Sequence, residues 1–119
     1  MPWMHIYRLS AWCKGGSADM TKILKQHAER RLADVPDQYI FWCHDGRILH
    51  SIHELKDALE MMSDETYAYH AYKEKNDFSA WVRDIIGDDK LARDLSRASD
   101  RRQAFECVKA REVFLLGKL

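Results

Sequence analysis

The sequence predicts an α+β domain. The expected architecture is a three-stranded, mainly antiparallel sheet, β-hairpin–α–β, packed against a C-terminal three-helix segment and preceded by a short strand and helix. Three stretches carry that expectation. Asn76 to Gly87, N-D-F-S-A-W-V-R-D-I-I-G, spaces Phe78, Trp81, Val82, Ile85 and Ile86 along one face of a helix. Tyr39 to His50 sets Asp45-Gly46 between two strand-forming runs, a short hairpin signal. Thr66 to Tyr72 alternates, with Tyr67, Tyr69 and Ala71 on one side and Ala68, His70 and Tyr72 on the other, which predicts a third strand.

Taken in order, Tyr7, Leu9 and Ala11 alternate with Arg8 and Ser10, and Lys14-Gly15-Gly16-Ser17 breaks the pattern. Ser17 or Asp19 can cap a helix over 18–33, with Met20, Ile23, Leu24, His27 and Leu32 facing inward, ended by Val35-Pro36-Asp37. After the hairpin, Ser51 with Glu54 forms a capping box that opens a helix burying Leu55, Ala58, Leu59 and Met62. Ser63-Asp64-Glu65 reads as a turn. Asn76 or Asp77 caps the central helix, and Gly87 stands where a helix ends in the left-handed conformation. Asp88 or Asp89 opens a helix with Leu91, Ala92 and Leu95 as its stripe. Ser99-Asp100 opens the last, which uses Ala104, Phe105, Val108 and Leu115 or Leu116. The expected division is an N-terminal extension, 1–36, and a compact unit, 37–119, with an apolar tail.

Composition narrows the function classes. The 119 residues suffice for one domain with a core that needs no staples. Basic and acidic residues balance at 19 each, so no global field draws the chain to nucleic acid or an anionic membrane. Cys13, Cys43 and Cys107 form no C-x-x-C pair, which points to free thiols in a reducing cytoplasm. The opening M-P-W-M-H-I-Y-R-L lacks the pattern of a secretory leader, and no apolar run has the length of a membrane helix. A cytoplasmic protein without membrane attachment is expected.

F-W-C-H-D-G-R-I-L (41–49), H-E-L-K-D-A-L-E-M-M-S-D-E (53–65) and Y-H-A-Y-K-E-K-N-D-F-S-A-W-V-R-D-I-I-G-D (69–88) together resemble a small prokaryotic, mainly archaeal, domain family of unknown function. The shared features are a D-G-R hairpin and an N-D-F-x-x-W-V-R-D-x-x-G-D motif. The resemblance implies a fold unit and no activity. Its hallmark positions here are Asp45, Gly46, Arg47, His70, Asn76, Asp77, Phe78, Trp81, Arg83, Asp84, Gly87 and Asp88.

Four constellations bear on chemistry. His70 near Asn76 and Asp77 has the residue types of a general base or ligand contact, or of a structural tie at a strand-to-helix junction. Cys43, His44, His50 and His53 are zinc-type ligands, but strand alternation sends Cys43 and His44 to opposite faces, so no metal is expected. No Gly-rich phosphate loop or nucleophile motif occurs, so no cofactor is expected. Arg97, Arg101, Arg102, Lys109 and Arg111 form a basic strip that suits nucleic acid, with Tyr39, Phe41, Tyr67 and Tyr69 as stacking platforms if exposed. Finally, Trp3, Tyr7 and Trp12 at one end and Val113, Phe114, Leu115 and Leu116 at the other are unusually apolar, which suits a partner protein or self-association.

The sequence therefore favours a non-enzymatic interaction module or assembly subunit. An RNA- or DNA-associated protein using the basic strip is the alternative, and an enzyme centred on His70 and Asp77 the third reading.

Overall fold

The computed structural model describes residues 24–119. The expected strand at 7–11, the start of the first helix and the apolar Trp3, Tyr7 and Trp12 lie outside the described residues.

Helix α1, Lys25–Leu32, buries Ala28 completely, and Leu32 and Val35 pack against the same core as the later elements. Leu24, expected inside, is exposed. The Val35 N–H bonds the His50 carbonyl at 2.7 Å, tying this segment to the hairpin. A single 3₁₀ turn, Asp37–Tyr39, leads into β1, Phe41–Trp42, which pairs antiparallel with β2, Ile48–Leu49. Cys43 N–H bonds Arg47 O, and Gly46 N–H bonds Cys43 O. Those two bonds close a three-residue loop whose last residue, Gly46, sits at φ +97°. A Cβ there would meet nothing within 4 Å, so backbone conformation alone calls for glycine.

Ser51 caps α2, Ile52–Met61, by accepting the Glu54 N–H. The return arm of the capping box is shifted by one residue: Glu54 accepts from the main chain and ring of His50, at 2.7 and 2.9 Å. Leu55, Ala58, Leu59 and Met62 are buried as expected.

The third strand is corrected. Residues 64–70 form helix α3, Asp64–His70, and only Ala71–Tyr72 remain as strand β3. β3 pairs with β4, Lys75–Asn76, and not with the first hairpin. The described residues thus contain two separate two-stranded sheets instead of one of three strands. The reason is local. Ser63, read as part of a turn, accepts the Thr66 N–H at 3.0 Å, and Asp64 and Glu65 place negative charge at the helix N-terminus. Helical winding then gathers Thr66, Tyr67 and His70 on one buried face, whereas strand alternation would separate Tyr67 from His70.

The central helix forms where expected. Asn76 caps α4, Asp77–Trp81, through the Ser79 N–H, and Gly87 closes it at φ +86°. Between them Val82–Ile86 winds as a π turn, in which the Gly87 and Asp88 N–H groups share the Val82 carbonyl. The wider turn buries Asp84 and leaves Ile85, expected in the core, only half-buried. Phe78, Trp81, Val82 and Ile86 are buried. Asp88 caps α5, Asp89–Arg97, and Asp100 caps α6, Arg101–Leu116. α6 is the post on which α1, α2 and α5 pack. No helix among the described residues is long and apolar enough to cross a membrane.

Candidate functional site

Phe78 anchors an aromatic cluster beneath the first hairpin. Its ring stacks near Phe41 (5.2 Å) and Tyr67 (5.7 Å), and the His70 ring lies 5.1 Å away. α3 delivers His70 into this cluster at its last residue, and the N-terminus of α4 brings Asp77 beside it. His70 Nδ1 is 2.9 Å from Asp77 Oδ2, and His70 Nε2 accepts the His44 main-chain N–H at 2.9 Å. Accepting at Nε2 places the ring proton on Nδ1, where it is donated to Asp77. A general base needs a free lone pair. Here that lone pair holds the hairpin loop, and the ring is 4% exposed. The geometry of His70 is that of a three-way tie between hairpin, α3 and α4.

Asp77 also lies 3.4 Å from Lys75 Nζ, which donates to the Tyr69 carbonyl at 2.9 Å and sits over the Tyr69 ring. His44 stacks on the Tyr69 ring, with centroids 3.9 Å apart. Next to this polar group opens a cleft of about 290 Å³ between the 38–42 segment and α4, lined by Tyr39, Trp42, Asp77, Ala80, Trp81 and Ile85 among others. Trp81 closes its base by donating its indole N–H to the Tyr39 carbonyl at 2.8 Å.

Trp42 is 69% exposed at the rim of this cleft. Its register partner across the hairpin is Ile48, also exposed, so the two side chains share the outer face while Phe41 and Leu49 point into the core. Sequence reasoning passed over Trp42, although the alternation that buries Phe41 and Cys43 turns Trp42 outward.

The basic strip is divided by the fold. Arg97, Arg102 and Lys109 are exposed. Arg101 donates to Asp64 and to the Leu59 and Glu60 carbonyls, clamping α6 to the end of α2. Arg111 is buried and grips the fully buried Asp88 through two bonds, at 2.7 and 3.1 Å. Its position was legible: Ala104, Val108, Arg111 and Leu115 are one helical stripe, so Arg111 stands where an apolar residue would stand. Of the aromatic platforms, Phe41 and Tyr67 are buried, Tyr39 is half-buried and Tyr69 is exposed. Of the tail residues, Leu115 is fully buried, a correction to its placement on a partner surface. Val113, Phe114 and Leu116 are exposed, with Arg111 and Lys118 against the Phe114 ring.

The zinc-type residues diverge. Cys43 points into the core, His44 stacks on Tyr69, His50 pairs with Glu54, and His53 bonds Glu112 at 2.8 Å. Burial pushes the Cys43 and Cys107 thiols up from their ordinary value, away from the reactive thiolate.

Comparison of the chain with protein-family models, curated proteins and solved structures finds no match.

Proposed function

We propose that the protein is a non-enzymatic interaction module that docks a partner protein on the outer face of the β1–β2 hairpin and the adjoining cleft. The observation that carries this reading is the exposed Trp42–Ile48 pair at the rim of a concave site. A large aromatic side chain beside a cleft has the character of an interface anchor. The C-terminal Val113, Phe114 and Leu116 form a second apolar surface of the same kind.

The nucleic-acid reading keeps three exposed cations, Arg97, Arg102 and Lys109, and loses two to structural bonds. The enzyme reading keeps a His–Asp pair whose ring nitrogens are both bonded. Neither gains an observation of its own.

The test is comparative affinity capture from the native lysate, with and without nuclease. Trp42→Ser with Ile48→Ser is expected to lose a nuclease-resistant protein partner that the wild type retains. Val113→Ser with Leu116→Ser serves as the tail comparison, because deleting the whole tail would also remove core Leu115. A partner retained equally by the hairpin variant, or one lost to nuclease, contradicts the proposal.

A further inference from the structure

Resting on the interaction reading, we propose that the cleft takes an extended peptide segment, which adds a strand to the open edge of β1 and places a Lys or Arg side chain at Asp77.

The first support is the hydrogen-bond parity of the hairpin. Cys43 N–H bonds Arg47 O, so the Cys43/Arg47 and Phe41/Leu49 positions are the pairs bonded across the strands. Trp42, between them, therefore directs its N–H and C=O away from β2. His44 has the same parity, and its N–H bonds His70 on the far side from β2. The outward edge of β1 thus faces His70 and α4, and Trp42 lines the cleft there. A strand edge that opens into a concave, largely apolar site is the requirement for pairing with an extended segment.

Charge supplies the second support. Asp77 is the one acidic side chain among the described residues lining the cleft. Its Oδ2 takes the His70 proton and faces Lys75, whose shorter contact is to the Tyr69 carbonyl. Its Oδ1 bonds no described residue. The remaining lining, Tyr39, Ala80, Trp81 and Ile85, suits the apolar side chains that alternate on one face of a bound strand.

The experiment selects a displayed library of linear random peptides on the full chain. The best sequences are then synthesised with and without N-methylation at alternate positions. The expected motif alternates apolar residues with a Lys or Arg at one end. Asp77→Asn, which keeps an acceptor for His70, should weaken these peptides at least about tenfold. N-methylation should weaken binding at one parity of positions and spare the other, a pattern that does not depend on any variant folding. No enrichment of alternating basic–apolar sequences, or peptides indifferent to both changes, overturns the proposal. So does concentration-dependent dimerisation that Trp42→Ser with Ile48→Ser abolishes, which would assign the edge to a second copy of the chain. Loss of the captured partner from the Trp42→Ser/Ile48→Ser variant, together with failed peptide selection, would leave the interaction reading standing and remove only the strand pairing.

Discussion

A guanidinium in a core position must be matched, or the fold loses several kilocalories. Arg111 is matched by Asp88, which also caps α5 through the Leu91 N–H. Removing one partner of such a pair leaves a buried charge, so Arg111→Met should cost about 3–5 kcal/mol in chemical denaturation. Adding Asp88→Asn, which removes the charge and keeps a capping oxygen, should recover part of that loss. Strictly additive losses would show the two side chains to be uncoupled. A second residue-scale test concerns pH. The hydrogen bond that the His50 ring donates to Glu54 raises the His50 pKa above its usual 6.5. For Glu54, partial burial pushes upward, but the bonds from His50 outweigh it and leave the carboxyl below its usual 4.5. The His50 contribution is present below 6.5 and fades as pH rises through its elevated value. The Glu54 contribution is present above 4.5 and fades on acidification. The pair therefore supports α2 most between pH 4.5 and 6.5. An NMR titration should place the His50 midpoint above 6.5, and Glu54→Gln should bring it down; an unmoved midpoint contradicts the pairing.

At the scale of elements, four helices were legible because each start carries its own chemistry: Ser51, Asn76, Asp88 and Asp100 all accept an N–H within their first turn. Gly46 and Gly87 mark their turns for the same reason, since both adopt positive φ. The third strand was misread because Tyr67 and Tyr69 alternate with Ala68 and His70, while the helix starts from a cap upstream, Ser63, that was read as a turn. Ser63→Ala should therefore destabilise the domain by about 1 kcal/mol and reduce α3 protection in amide exchange. Unchanged protection would mean that packing of Tyr67 and His70 alone winds the helix. The π turn was not legible, because no residue type distinguishes it, and Ile85, which borders the cleft, lies within it. Trp81 joins the core to that cleft, and its replacement by Ala should cost about 3–5 kcal/mol. A near-neutral result would place the core elsewhere.

At the scale of the whole molecule, helices α1, α2 and α5 pack around α6, the first hairpin is tied to α3 by the His44 N–H donated to His70, and the 3₁₀ turn before it is tied to α4 by the Trp81 indole N–H donated to the Tyr39 carbonyl. Such anchoring leaves the hairpin's outer face and one strand edge available for recognition. Of the apolar C-terminal residues expected on a partner surface, Leu115 turned inward while Val113, Phe114 and Leu116 stayed out. Strand alternation alone turns Trp42 outward, but its pairing with Ile48 on that face came from the register of the hairpin. The most direct test is a photo-crosslinking residue placed at position 42 in cells, compared with the same residue at exposed position 102 on α6. The account predicts a discrete protein adduct at 42 and none at 102. No adduct at 42, or nucleic-acid adducts at 102, would contradict it.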